Sequence, residues 1–344
     1  MSGFLATLFA ASFASTVVLL PLMIRLARKV GFLDQPGPRK IHTDPIPYGG
    51  GIVVAAAVLV ASAVASRHEF PPAPKAFPLV VYALGSLVIL VLGLVDDRRK
   101  LSAGFKLLVQ AIVAAGVAVG GERLKMFDIP FALSVAVTVL WILAVTNAFN
   151  LLDHMDGLSS GVALLAGAAF LTVALQTGQP MIAAMIVPLL GACAGFLLFN
   201  FPPAKIFLGD AGSLFIGFWL SCLTISFTFY VRNAPRYELY TYFVPLAILA
   251  VPLFDTASVV LIRLLRRKPL FEGDTNHLAH RLTALGMSRR GAVLTVYALT
   301  LTAGISAVLL YHVTQTGALL ILVQLLLTFG IITLLETAGR RHDG

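Results

Sequence analysis

The chain has 344 residues, 58% of them hydrophobic and only 12% charged, with a mean hydropathy of +0.92. A water-soluble domain carries about a quarter of its residues as charges, so this composition excludes one and puts a polytopic membrane protein first. The net charge of +9 is spread over short loops between apolar runs. It reads as membrane orientation and attraction to anionic headgroups, with no nucleic-acid footprint.

Eleven apolar runs read as membrane spans: 3–24, 48–66, 77–95, 106–120, 130–147, 158–176, 180–199, 212–231, 240–262, 290–311 and 316–336. The first has no basic leading segment and no small-residue cleavage site, and Arg25, Arg28 and Lys29 follow it. That pattern is a retained span, not a removed signal peptide. The expectation is an all-α polytopic membrane protein, one integral-membrane domain over 1–344. Of the 25 Lys and Arg residues, 19 fall in the loops after odd-numbered spans and in the C-terminal tail. The other six are Arg67, Lys75, Arg123, Lys125, Arg232 and Arg236. The positive-inside rule then places the N-terminus outside and the C-terminus inside. Cys193 and Cys222 lie within apolar runs and read as small buried hydrophobes.

The chemically versatile side chains sit in the inner loops. The first, "DQPGPRKIHTDPIPYGGG", holds Lys40 and His42. The second, "VDDRRKLSAGFK", sets Asp96 and Asp97 at the hydrocarbon boundary, with Lys106 at the start of the next span. Arg98, Arg99 and Lys100 would neutralise the acids at an ordinary solvated span end. Adjacent carboxylates repel, however, and acids at that depth are costly, so a bound cation is the usual reason to keep such a pair.

In the third loop, "NAFNLLDHMDGLSSG" (147–161), Asn147, Asn150, Asp153 and Asp156 recur every three residues. Each step of three drifts by about 60° around an α-helix, so no regular helix points all four one way. Gly157 suggests that the helix ends or distorts near Asp156. Helix capping accounts for one or two such residues. Four oxygen-bearing side chains suit a hard cation such as Mg²⁺, which keeps waters and binds substrate phosphate. In the fourth loop, "FLGDAGS" offers Asp210 or Ser213 as an N-cap. Gly209 and Gly212 would let backbone approach a ligand, and a free helix N-terminus there would favour phosphate.

The fifth loop ends in "NHLAHRL", with His277, His280 and Arg281 at i, i+3 and i+4 on one helix face. Leu278, Leu282 and Leu285 form an apolar side, which also describes an interfacial amphipathic helix. Histidines beside an arginine suit an anionic diphosphate better than a metal. Asp255, just after Pro252, is the one acid well inside an apolar run, a functional hint or a packing partner for a polar neighbour. Hard ligands, basic side chains and a membrane on one face describe phosphoryl transfer between a soluble and a lipid phosphate.

These blocks, "RKIHTDPIPYGGG" (39–51), "GLVDDRRKLSAGFKLLVQ" (93–110), "NAFNLLDHMDGLSSG" (147–161), "FLGDAGSLFIGF" (207–218) and "HLAHRL" (277–282), stand in one order along nearly the whole chain. In that order they resemble the polyprenyl-phosphate N-acetylhexosamine-1-phosphate transferases. The resemblance implies transfer of a sugar 1-phosphate from a UDP-sugar to a polyprenyl phosphate such as undecaprenyl phosphate. UMP would be the second product, Mg²⁺ the cofactor (Mn²⁺ a substitute), and the cytoplasmic face of a bacterial inner membrane the setting. A homodimer is compatible with it. By position, it implies catalytic roles for Asp96, Asp97, Asp153 and Asp156 and metal ligation by Asn150 and Asp210. Substrate contacts would come from Lys40, His42, Lys106, Asn147, His277, His280 and Arg281.

The sequence departs from the family pattern at His154, where many members carry glycine, and it lacks a run of adjacent histidines in the fifth block. Tyr48 stands where the branch acting on UDP-N-acetylmuramoyl-pentapeptide usually shows Met. These departures favour a simple UDP-N-acetylhexosamine, N-acetylglucosamine first, over that pentapeptide substrate. An ion-coupled transporter is the reading from another class. Its site would gather near the midplane between repeats, whereas these acids cluster at one end of the spans and no repeat is visible.

Overall fold

The computed structural model describes residues 1–36, 44–68, 78–124, 129–227, 229, 238–269 and 276–339. Thirteen helices are found among the described residues: α1 Ser2–Lys29, α2 Gly50–Ala65, α3 Leu79–Arg99, α4 Ala103–Val119, α5 Phe131–Leu152, α6 Leu158–Gln176, α7 Pro180–Asn200, α8 Gly209–Ser226, α9 Val244–Ile248, α10 Ala250–Leu265, α11 Leu278–Ala284, α12 Arg289–Leu309 and α13 Gln315–Gly339. A 3₁₀ turn, Leu239–Phe243, leads into α9. The only extended pairing among the described residues is two residues long, β1 Leu33–Asp34 against β2 Ile46–Pro47, antiparallel.

Among the described residues, eight helices are long and apolar enough to cross a membrane: α1, α3, α5, α6, α7, α8, α12 and α13. Three of the eleven expected spans take another form. The run 48–66 becomes the 16-residue α2, and 106–120 lies in the 17-residue α4. At 1.5 Å per residue these reach about 24–26 Å, short of a ~30 Å hydrocarbon core. The run 240–262 is not one straight helix. It breaks between α9 and α10 with a bend of 72°. Pro245 opens α9 and Pro252 lies in the first turn of α10, the positions where a missing N–H costs least.

The arrangement is set by how much apolar surface each helix must hide. In α8, 89% of the apolar window is buried and in α7 78%, against 22% in α1 and 11% in α13. Thus α7 and α8 form the centre, while α1 and α13 present leucine and valine to lipid. Around α8 pack α2, α3 and α5; α6 joins α7 to α12, and α10 lies on α5. Close approach of α3 to α8 depends on Gly93, where a Cβ would meet the Ala211 backbone at 2.4 Å. That contact brings Asp96 and Asp97, one turn further along α3, to the start of α8.

Candidate active site

The site is built around the first turn of α8. Gly209 has φ +74, a left-handed conformation, and a Cβ there would lie 2.6 Å from Asp97 Oδ2. Only glycine fits both demands. The space it leaves is taken by the Asp97 carboxylate. Asp97 Oδ1 accepts from the Asp210 N–H at 2.8 Å, and Oδ2 from the Ala211 N–H at 3.2 Å. The helix N-terminus expected to be free for phosphate is therefore capped from another helix, and neither Asp210 nor Ser213 is its cap. Gly212, expected to face a ligand, instead meets the Gly51 backbone of α2. An anionic cap at this position gains from the orphan N–H groups and the helix dipole together.

Asp96 has a different environment from its neighbour. Its Oδ1 accepts from the Leu101 N–H and its Oδ2 from Lys106 Nζ, both at 2.5 Å. The Lys106 ammonium also lies 3.3 Å from Asp210 Oδ2. One lysine thus bridges the two acids. Asp210 Oδ1 accepts from Asn150 Nδ2 at 2.9 Å, and the same amide nitrogen reaches Ser213 Oγ at 3.0 Å. With its nitrogen so engaged, Asn150 keeps its amide oxygen as an uncharged hard donor beside Asp210.

The third block does not wind on as a helix to Asp156. α5 ends at Leu152, Asp153 caps it, and α6 begins after Gly157. Burial, then the carboxylates of Asp210, Asp97 and Asp156, push the Asp153 carboxyl well above its ordinary range. Asp156 turns the other way and accepts from the Ala204 N–H at 3.0 Å. Asn147 forms a reciprocal amide pair with Gln110 of α4, its Nδ2 donating to Gln110 Oε1 at 2.5 Å.

In the fifth block, α11 starts only at Leu278, so His277 is its N-cap and does not share a helical face with His280 and Arg281. Asp255 provides the anchor. Its Oδ2 lies 2.8 Å from His277 Nδ1 and its Oδ1 accepts from the Leu278 N–H at 2.5 Å. His154 stacks on His277 with centroids 4.4 Å apart and lies 4.6 Å from the His280 ring. Burial and the neighbouring His277 push His154 down to about 3, and the same two causes lower His280. Arg281 is 4% exposed and points inward, Nη1 donating to Ser258 Oγ at 3.0 Å and to the Asn276 carbonyl at 2.5 Å. Leu278 and Leu282 are buried, and α11 packs on α12. Its apolar side is docked on the protein through Leu278 and Leu282, while Leu285 stays exposed.

The structure therefore gathers Asp96, Asp97, Lys106, Asn150, Asp153 and Asp210 at one point, and His154, Asp255, His277 and His280 beside it. Lys40 and His42 lie outside the described residues. Two buried amides escaped the sequence reading. Asn200 Oδ1 accepts from the Gly157 N–H at 2.8 Å while its Nδ2 donates to the Ile206 carbonyl at 2.9 Å, tying the third block to the fourth. Gln110 pairs with Asn147, as described. Each is a lone amide within or at the end of an apolar run, without the cluster of neighbouring acids that singles out Asn147 and Asn150.

Residues 79–228 match the family model described as glycosyl transferase family 4. The chain is 34% identical over 332 residues to "Probable undecaprenyl-phosphate N-acetylglucosaminyl 1-phosphate transferase" of Bacillus subtilis (strain 168), covering 94% of this chain and 90% of that protein. It is 31% identical to "Decaprenyl-phosphate N-acetylglucosaminephosphotransferase" of Mycolicibacterium smegmatis, over 79% of this chain and 73% of the relative. It is also 31% identical to "Undecaprenyl-phosphate alpha-N-acetylglucosaminyl 1-phosphate transferase" of Yersinia pestis, over 78% and 74%. The fold and site define a multi-pass membrane sugar-phosphate transferase. The chain belongs to the polyprenyl-phosphate N-acetylhexosamine-1-phosphate transferase family.

Proposed function

We propose that the protein transfers N-acetylglucosamine 1-phosphate from UDP-N-acetylglucosamine to undecaprenyl phosphate, releasing UMP. The observation that carries this reading is the convergence of Asp96, Asp97, Lys106, Asn150 and Asp210, from three inner loops, on the first turn of α8. The names of the relatives support the sugar and the lipid. The departures at Tyr48 and in the fifth block favour a simple N-acetylhexosamine over a pentapeptide-bearing one.

Asn150 and Asp210 would hold Mg²⁺, with Asp153 close by. The donor set fits a hard cation, because all its free donors are oxygens and its carboxylates repel one another. When bound, the ion would neutralise charge that builds on the diphosphate during transfer. The remaining chemistry falls to the chain. Lys106, already positive and shared between Asp96 and Asp210, would receive the lipid phosphate. Asp96 would hold that lysine, and Asp97 would hold Asp210 by fixing the start of α8. A lipid-phosphate oxygen would attack the sugar-linked phosphorus of the UDP-sugar. The diphosphate P–O bond breaks, UMP leaves, and a polyprenyl-diphosphate sugar is formed.

For topology, α2, α4 and the bent α9–α10 pair would join the eight long helices to give eleven crossings. The 19-to-6 division of basic residues supports an outside N-terminus and a cytoplasmic site in a bacterial inner membrane. The test is UMP release by purified protein with undecaprenyl phosphate and a panel of UDP-sugars. UDP-N-acetylglucosamine should be turned over fastest. Lipid-independent UMP release, or preference for UDP-N-acetylmuramoyl-pentapeptide, would overturn the reading.

A further inference from the structure

The transfer chemistry leaves His154 unused, although it stands in the middle of the third block. His154 Nδ1 lies 2.9 Å from the Leu151 carbonyl. A carbonyl oxygen only accepts, so Nδ1 carries the proton and Nε2 presents a lone pair. That Nε2 is buried and has no hydrogen-bond partner among the described residues. Burying a lone pair against nothing is unfavourable, and it is how a ligand atom looks before its ion arrives.

The other donors are close at hand. One donor atom from each of His154, Asp255 and His277 lies within 4.8 Å of the other two. In a tetrahedral zinc site, with Zn–N of about 2.0–2.1 Å, donors are about 3.3 Å apart, so closing the gap requires the stacked His154 and His277 rings to turn towards a common point. The far sides of two of these ligands are held by backbone: His154 Nδ1 by the Leu151 carbonyl and Asp255 Oδ1 by the Leu278 N–H. Such outer partners orient the ligands of metal sites. The His280 ring lies 4.6 Å from His154, within reach of a fourth position. Arg281, which would repel a cation, directs Nη1 to Ser258 and the Asn276 carbonyl.

We propose that His154, His277 and Asp255 form a second metal site, for Zn²⁺ or an ion of its class, distinct from the oxygen-lined site at Asp210. The ion would bind His154 Nε2, His277 Nδ1 and an Asp255 oxygen, with the His277 ring proton carried on Nε2 instead of Nδ1. Two imidazoles and one carboxylate select Zn²⁺ over Mg²⁺. The ion would clamp three elements: the turn after α5, the helix α10 and the start of α11.

The test uses the full chain without a polyhistidine tag, purified in detergent and stripped with chelator. Calorimetric titration with Zn²⁺ should show one ion bound per chain and a raised melting temperature, both unaffected by excess Mg²⁺. Co²⁺ should give the visible bands of a tetrahedral site. His154→Ala should weaken Zn²⁺ binding by more than about tenfold. Absence of stoichiometric Zn²⁺ binding by the wild-type chain, or undiminished binding by His154→Ala, would overturn the proposal. Should His154→Ala fail to fold, the wild-type Co²⁺ spectrum decides, since an octahedral or featureless spectrum refutes the site without any variant.

Discussion

Replacing Asp97 by Asn keeps the size of the side chain and removes its charge and one acceptor oxygen. In the native site both oxygens are used, one for the Asp210 N–H and one for the Ala211 N–H. In Asp97→Asn one of these N–H groups must face an NH₂ group, another donor. A hydrogen bond to a charged acceptor contributes about 1.5–3 kcal/mol, and the charge–dipole term at a helix start adds about 0.3–1 kcal/mol. Taking about 2 kcal/mol as the local loss, the first turn of α8 opens roughly 30 times more often, since about 1.4 kcal/mol is a factor of ten. Hydrogen–deuterium exchange read by mass spectrometry on the peptide spanning Asp210 and Ala211 should speed up by that order. Asp96→Asn, whose partners are Leu101 and Lys106, should leave exchange at this peptide unchanged. The kcat of Asp97→Asn should fall about a hundredfold or more, because displacement of a reacting group by an ångström costs that much. Native-like exchange at the start of α8 in Asp97→Asn would refute the division of labour between the two aspartates.

Four further outcomes follow from the same geometry. Asp210→Ala, or EDTA added to the wild-type enzyme, should abolish UMP release while the protein stays folded; full activity in either would dismiss the Asp210 metal site. Asn200→Ala orphans the Gly157 N–H and the Ile206 carbonyl, a loss of about 1–3 kcal/mol that should lower the melting temperature and kcat together, and an unchanged melting temperature would contradict the clamp. Met287 is 44% exposed just after α11, and Cys193 and Cys222 are buried. Met287→Cys should thus be labelled by an impermeant thiol reagent only from the cytoplasmic side, whereas labelling from outside would reverse the topology. Finally, His154 is held at about 3, below its unfolded value near 6.5. The folded chain then binds fewer protons than the unfolded one, so its stability is full above about pH 6.5 and falls as the pH drops towards 3. His154→Phe should flatten that acid decline in thermal melts, and an unaltered profile would place the titration elsewhere.

The class of this protein and most of its candidate site are legible along the chain. Apolar runs of twenty residues can be stable only in lipid or deep in a core, so composition and run length announced the helices. Acids, amides and basic residues at the ends of such runs are costly enough to need a function, which makes Asp96, Asp97, Asn150, Asp153, Asp210 and His277 stand out in the sequence. What periodicity could not supply was direction across the fold. Nothing local to "VDDRR" says that Asp97 reaches past its own helix to cap α8, because that pairing spans 113 positions of sequence and exists only once Gly93 lets α3 touch Ala211. Nothing local to "NHLAHRL" says that His277 leaves the helix to meet Asp255, or that Arg281 turns inward to Ser258. In the span at 240–262 Pro252 is legible as a break in the helix, but the size of the bend, 72°, and its place between α9 and α10 are set by the packing around it. Local propensity and burial are properties of a segment and can be read along the chain. The partner of a buried polar group is a property of packing, which brings together residues far apart in sequence.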